Sequence, residues 1–372
     1  MSPATALVDV EDLRARVDAL LTEHLDRLEP ELVGAGAGAA PLGDAVRAML
    51  SGGKRLRAAF CYWSWRAHGG LPGAPEAQTV LGVGAALELF QAAALFHDDV
   101  MDDSDTRRGQ PAAHRVFAER HAAAGWSGDP ARFGASAAIL LGDLALVASE
   151  HVFARSVGDE PAGRRSRAHA VFDRMRTEVT VGQYLDLLAQ VLPWGADPAS
   201  DEARAREVIR AKSARYSVEL PIVLGAVLAG ADEDALAAAS AFGLPLGEAF
   251  QLRDDLLGVF GDPAATGKPA GDDLREGKRT VLVARAMAHA LRTGDAALAD
   301  HLRSGLGDPA LDADACRALA DRIAGSGAVQ DVEDLIAALS DQAFAALDAA
   351  DLADEARLVL ERLGHAAVDR RA

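Results

Sequence analysis

The sequence predicts an all-α protein, and three observations carry that prediction. Half of its 372 residues are hydrophobic while aromatics make up only 5%, with alanine abundant throughout. Apolar residues recur at the three-to-four-residue spacing of an amphipathic helix. Alternating Val/Ile/Thr runs of the kind that build strands are scarce, and alanine is the strongest helix former. The length suits one large core or two ordinary ones.

The elements follow in order. Residues 8–33 have helical periodicity, and GAGAGAAPLGD after them reads as a loop. A helix should begin near Asp44, and residues 53–68 continue in helix until His68-Gly69-Gly70-Leu71-Pro72 stops it. Residues 76–103 read as one long helix, apolar until it meets a block of acid. Residues 122–134 form a loop, and helices recur at 135–156, 164–192, 201–215, 217–230, 233–259, 279–294 and on to the end. The longest apolar stretches, Leu81–Phe96, Ala135–Ala148 and Leu220–Ala231, are interrupted or short of the ~18–20 residues of a membrane span, and read as core helices. No repeat of 20–50 residues is visible, which excludes a solenoid, and no break in composition marks a linker. The whole chain, 1–372, therefore reads as one domain, with 1–35 and 300–372 as peripheral helices.

Charge narrows the function. A net charge of −18 argues against nucleic acid, which needs a basic footprint, and against anionic membrane surfaces. An anionic substrate would have to be met by a local basic cluster or by bridging cations. Cys61 and Cys316 lie far apart with no CxxC spacing, so neither a disulfide framework nor a zinc site is indicated. A reducing cytoplasm is expected, and the first residues lack the basic and apolar pattern of a signal peptide. Of 38 basic residues only four are lysine, namely Lys54, Lys212, Lys268 and Lys278. Such a bias reserves lysine for places where a compact ammonium serves better than a planar guanidinium.

The first candidate site is LELFQAAALFHDDVMDDSDTRRGQPAAH. On a helix Asp98 and Asp102 lie ~40° apart and one turn (~6 Å) removed, with Asp99 flanking them. Three carboxylates so placed repel one another unless a cation sits among them, and Mg²⁺ held by carboxylates and substrate phosphates fits. Arg107 and Arg108 follow, and guanidinium forks bind phosphate oxygens bidentately. A solvated helix end would also carry charge, but this run closes the apolar stretch Leu81–Phe96. The combination suits a diphosphate with an apolar tail. The second site, LGEAFQLRDDLLGVFGDPAATGKPAGDDLREGKRT, places Asp254 and Asp255 after an amphipathic helix. Gln251 shares their face, and Lys268, Asp272, Asp273 and Lys278 follow a glycine-rich loop. It reads as a second metal-binding face about 155 residues after the first. SGGKRLRAAF supplies Lys54, Arg55 and Arg57 beside two glycines that permit close backbone approach; it lacks the pattern of a Walker loop. RAKSARYS places Lys212 and Ser213 on a helix.

With these residues in view, the chain resembles the trans-type polyprenyl diphosphate synthases, which include farnesyl and geranylgeranyl diphosphate synthases. The resemblance rests on GGKRLR at 52–57, HDDVMDDSDTRRG at 97–109, GQYLD at 182–186, KS at 212–213, and FQLRDD with GKPAGDDLREGKRT at 250–280. These occur in family order, and all four lysines fall where that family places functional lysines. The resemblance implies a cytoplasmic homodimer of helix bundles, each with a deep central cavity and a catalytic core over about 44–300. It implies that Asp98, Asp99 and Asp102 bind two Mg²⁺ ions with the allylic diphosphate and that Asp254, beside Asp255, carries a third. It assigns Arg107, Lys212, Ser213, Gln251, Lys268 and Lys278 to the allylic diphosphate. Lys54, Arg57 and Arg108 fall to isopentenyl diphosphate. The implied reaction is Mg-assisted ionisation of the allylic C–O bond, attack by the alkene of isopentenyl diphosphate, and proton loss to the departing pyrophosphate.

Two positions depart from the family pattern. Gln91 stands where a histidine often contacts isopentenyl diphosphate, and glutamine still offers a donor. Gly258 stands where the second motif usually has its third aspartate. Asp262 would lie ~10 Å further along if the helix continued, so the third-ion site is expected to be weaker or completed by Asp254 and water. Ala93 and Ala94, just before Asp98, are small where the family uses bulk to stop growth early; Phe90, one turn deeper, is the next floor. A C20 or longer product is expected. A terpene cyclase is the nearest alternative, opposed by GGKRLR and the second Asp-Asp pair. A catalytically silent partner subunit is the other, opposed by the intact first cluster and the four lysines.

Overall fold

The computed structural model describes residues 10–195, 197–262, 271–308 and 311–369. It is all-α apart from one two-residue hairpin. The helices are α1 (Leu13–Ala35), α2 (Ala40–Leu50), α3 (Leu56–Ala67) and α4 (Glu76–Met101). Strands β1 (Thr106–Arg107) and β2 (Gln110–Pro111) follow, then α5 (Ala113–Ala123), α6 (Pro130–Ser156), α7 (Ala162–Val191) and α8 (Pro198–Val208). A π-helical segment, Ile209–Glu219, leads to α9 (Leu220–Ala229), α10 (Glu233–Phe260) and the short α11 (Asp272–Arg275). The chain ends with α12 (Val281–Thr293), α13 (Ala296–Gly305), α14 (Ala313–Gly325), α15 (Ala328–Ala349) and α16 (Asp354–Val368).

Local chemistry explains many of the boundaries. Asp129 caps α6 by accepting from Ala131 N at 3.0 Å, with Pro130 preset in the first turn. The loop expected over 122–134 is therefore shorter. Asp197 and Pro198 open α8 in the same way, with a 3.1 Å bond to Ala199 N. Thr280, Asp295 and Asp312 cap α12, α13 and α14 through their side chains. The helix expected from residue 53 begins only at Leu56, because Gly52, Gly53 and Arg55 all take positive φ.

Two compact units divide the chain. The first takes its residues from Met1–Ala170, Pro221–Leu236 and Asp351–Leu363; the second from Val171–Leu220, Ala237–Ala350 and Gly364–Ala372. In the first unit α4 packs along α6 and against α3. Trp63, Tyr62, Phe60, Phe96, Leu87 and Leu141 are fully buried there, each contributing about 1.5–3 kcal/mol of apolar transfer. In the second unit α12 packs on α8, α13 and α15, and Phe172 and Met175 are fully buried.

Helix α6 begins five residues earlier than the sequence suggested, while α4 ends two residues sooner. Both α4 and α6 are long and apolar enough to cross a membrane, with mean hydropathy 1.6 over an 18-residue window. The α4 window is 78% buried, as a core helix should be, but that of α6 is only 44% buried. Ile139, Leu140 and Val147 stand exposed on α6, near-heptad spacing that forms an apolar stripe.

Candidate active site

In the first unit the acidic cluster sits at the C-terminal end of α4. Asp102 caps that helix, its N–H donating to Asp98 O at 2.8 Å. Asp99 is buried, and Arg107 holds it: Arg107 Nε donates to Asp99 Oδ1 at 2.8 Å, Nη2 makes a second, shorter bond to the same oxygen, and Nη2 lies 3.4 Å from Asp98 Oδ2. The hairpin puts Arg107 there. Thr106 pairs with Pro111 and Arg107 with Gln110, and the two turn residues Arg108 and Gly109 both take positive φ. Two consecutive positive φ values mark a type I′ turn. Arg108 pays a conformational penalty in that position, the kind of local strain found where geometry serves function.

A guanidinium cluster adjoins it in the same unit. Arg108 Nη1 donates to Met49 O at 3.0 Å. A Cβ placed on Gly53 would lie 3.3 Å from Arg55 Nη1 and 3.4 Å from Arg108 Nη1, so Gly53 lets the loop run beside both. Arg55 and Arg57 are buried. Although Arg108 is exposed, desolvation of its guanidinium, with the charges of Arg55, Arg107 and Arg57, pulls it below the usual arginine range, and Glu88 opposes this. Glu88 is itself buried on α4, 3.5 Å from Arg55 and 3.5 Å from Ala58 N. Asp18 pairs with Arg55 from the other side at 2.7 Å. Lys54 lies in the same loop, and Gln91 is half-buried on α4, two turns before Asp98.

In the second unit Lys212 and Ser213 sit on the π-helical segment, a geometry frequent at functional sites. Lys212 Nζ contacts Asp186 Oδ2 at 2.5 Å. Gly182 makes that register possible: a Cβ there would lie 2.4 Å from Lys212 N. Ser213 Oγ donates to Gln251 Oε1, and Gln251 Nε2 donates to Asp255 Oδ1 at 2.8 Å. Asp255 is buried and its carboxyl is pushed up to about 8, by desolvation first and then by the charges of Asp273 and Asp254. Asp254 is half-buried beside it. Lys278 Nζ lies 2.5 Å from Glu276 and 3.6 Å from Asp273. Lys268 falls outside the described residues.

Each unit thus gathers its own predicted residues. The sequence reading missed two others. Glu88 was signalled only as a lone acid in an apolar run, and Asp186 only as the last residue of GQYLD. The donor set fits Mg²⁺. It consists of hard carboxylate oxygens, although among the described residues no three His, Cys, Asp or Glu side chains are gathered closely enough to hold a metal ion by themselves. Mg²⁺ is characteristically held by one or two carboxylates, with waters and substrate phosphates completing its shell.

An all-α fold with carboxylates at two helix ends and guanidinium and ammonium groups beside them defines a diphosphate-handling enzyme. Comparison with known proteins agrees. A profile described as Polyprenyl synthetase matches residues 40–318. Geranylfarnesyl diphosphate synthase of Aeropyrum pernix is 34% identical over 254 residues, 67% of this chain and 71% of that one. Geranylgeranyl diphosphate synthase of Mycobacterium tuberculosis is 34% identical over 246 residues, 66% of this chain and 61% of that one. A crystal structure of geranylgeranyl pyrophosphate synthase from Corynebacterium glutamicum, complexed with isoprenyl diphosphate and magnesium, superposes with TM-score 0.90 at 39% identity, covering 97% of this chain and 100% of that one. The chain belongs to the polyprenyl synthetase family and is a transferase of the prenyltransferase type.

Proposed function

We propose that the chain condenses isopentenyl diphosphate with an allylic prenyl diphosphate to give a product of C20 or longer. The observation that carries this reading is the ion pair of buried Asp99 with half-buried Arg107 at the end of an apolar helix, beside the Arg55–Arg57–Arg108 cluster. Mg²⁺, three ions in all, would be held by Asp98, Asp99 and Asp102 in the first unit and by Asp254 and Asp255 in the second. When bound it stabilises negative charge on the departing pyrophosphate. Arg107 holds two of those aspartates in place and can turn a donor to phosphate. Lys54, Arg57 and Arg108 meet the anionic head of isopentenyl diphosphate, with Gln91 supplying a further donor. Lys212, Ser213, Gln251, Lys268 and Lys278 serve the allylic diphosphate. Preorganised cations of this kind act mainly by stabilising developing charge. The family profile runs through both units, which supports one catalytic domain.

The test is incorporation of labelled isopentenyl diphosphate onto an allylic primer by the purified chain with Mg²⁺. Failure to consume isopentenyl diphosphate would favour a cyclase or a silent subunit instead. Product length rests on α4, where Ala93 is buried, Ala94 half-buried, and Phe90 buried one turn deeper. Ala94→Phe is expected to shorten the hydrolysed product by at least one isoprene unit on chromatography. An unchanged product would show that this face of α4 does not line the path of the growing chain.

A homodimer is proposed on the apolar stripe of α6, where Leu140 is 60% and Val147 67% exposed. An exposed patch of this kind marks an association surface. Leu140→Glu with Val147→Glu should give a monomer by light scattering, while a dimer unchanged at micromolar concentration would place the interface elsewhere. A cytoplasmic location is supported by two buried, unpaired cysteines, Cys61 and Cys316.

A further inference from the structure

A π-helical stretch of 11 residues does not support itself. Such geometry occurs mostly as single-turn bulges and needs help from its surroundings. Here it runs from Ile209 to Glu219, and Leu220 N donates to Arg215 O five residues back. In the second unit α10 grips it at three points. Glu248 faces the junction where α8 gives way to the π-helical segment. Its Oε2 accepts from Arg206 Nη2 at 2.8 Å and Nε at 3.2 Å, and its Oε1 accepts from Arg210 Nε at 2.6 Å. Gly247 passes so close that a Cβ there would lie 2.5 Å from Ala214 O. Gln251, one turn on, accepts from Ser213 Oγ. We propose that Glu248 is a positioning residue for Lys212: it staples α8 and the π-helical segment to α10 and so fixes the direction in which Lys212 presents its ammonium to the allylic diphosphate.

The staple sits where the winding changes. Arg206 belongs to the last turn of α8 and Arg210 is the second residue of the π-helical segment. One carboxylate, an oxygen for each guanidinium, therefore bridges both sides of the change. Charge-assisted bonds of this kind are short and directional. Glu248 is buried, whereas Arg206 and Arg210 are half-buried. Without the carboxylate the two arginines turn to water, so no buried charge is stranded and the fold survives. What is lost is direction. Lys212 stands two residues beyond Arg210, its Nζ 2.5 Å from Asp186 Oδ2. A stretch free to slip back to i→i+4 bonding would rotate every residue past the junction and turn Lys212 away from Asp186.

This inference rests on the proposed role of Lys212 at the allylic diphosphate, and its test separates the two. The chain has only four lysines, so reductive methylation with ¹³C-formaldehyde gives a simple dimethyl-lysine spectrum, in which Lys212→Arg identifies the Lys212 signal. In Glu248→Gln that signal is expected to shift while the signal of Lys54, in the first unit, stays in place. In steady-state assays Glu248→Gln should lower kcat/KM for the allylic diphosphate by about 10–100-fold, the scale of a small misplacement of a reacting group, and leave KM for isopentenyl diphosphate unchanged. In a Lys212→Ala background the same change should cost little more, because residues that act through one another are not additive. The pair Arg206→Gln with Arg210→Gln removes the staple from its half-buried side. It should reproduce all three results, and it decides the matter if circular dichroism shows Glu248→Gln unfolded. An unmoved Lys212 signal in a folded variant overturns the proposal. So does an equal rise in KM for both substrates, or a full loss added on top of Lys212→Ala. Failure of the underlying reading shows separately, as a wild-type chain that consumes no isopentenyl diphosphate while its Lys212 signal still answers to Glu248→Gln.

Discussion

Asp99→Ala is expected to reduce turnover by roughly 10²–10³-fold or more, the scale of removing one preorganised electrostatic contact at a site of developing charge. Asp99 is 1% exposed, and both Nε and Nη2 of Arg107 bond to it. The substitution removes a metal-directed carboxylate and also takes from Arg107 both of its bonds to Asp99, leaving the longer contact to Asp98 at 3.4 Å. Asp98→Ala removes a carboxylate while leaving the Asp99–Arg107 bonds in place. If Arg107 orients the cluster, Asp99→Ala should therefore be the more damaging of the two. The measurement is single-turnover formation of labelled prenyl diphosphate, with Mn²⁺ binding followed in parallel. Turnover unchanged in folded Asp99→Ala would remove the first cluster from the chemistry altogether.

Most helices were legible because a 3.6-residue apolar period survives substitution, and α4 and α10 stand within two residues of their expected ends. The motif residues were legible because carboxylates one turn apart on a helix and a pair of arginines five residues beyond them carry their chemistry in short spacing. What stayed hidden depended on contacts far apart in sequence or on backbone states with no composition signature. The hairpin at 106–111 has two residues per strand, and only the positive φ at Arg108 and Gly109 reveals it. The π-helical segment adds one residue per turn across RAKSARYS, a shift too small to alter an apolar pattern. What permits it, the bare backbone of Gly182, lies 30 residues upstream of Lys212. The crowding at Gly258 stayed hidden for the same reason, because Asp273, whose carboxylate lies where a Cβ at 258 would project, stands 15 positions later.

Glu88→Ala is expected to be among the most destabilising single changes in the first unit, and to strike isopentenyl diphosphate binding at the same time. Glu88 and Arg55 are both buried, at 3% and 4% exposure, and lie 3.5 Å apart. Removing one partner of a buried pair costs about 3–5 kcal/mol where the other charge is left uncompensated; with Asp18 still 2.7 Å from Arg55 the expected cost falls below that range. The guanidinium left behind stands next to Arg108 and Arg57, and Glu88 is the group whose charge favours Arg108 against its cationic neighbours. Without it the three guanidiniums repel one another, and the loop at Gly52–Arg55, already at positive φ, loses its tie to α4. Asp18 still pairs with Arg55, so the loop is loosened rather than freed. Glu88→Gln keeps the shape and one acceptor, so it separates charge from packing. It should recover much of the thermal midpoint while KM for isopentenyl diphosphate stays raised. A purely structural Glu88 would predict the opposite: any folded variant would bind isopentenyl diphosphate as the wild type does. A raised KM with kcat nearly unchanged in Glu88→Gln would place the carboxylate behind the anion site, as the group that keeps a crowded set of arginines usable.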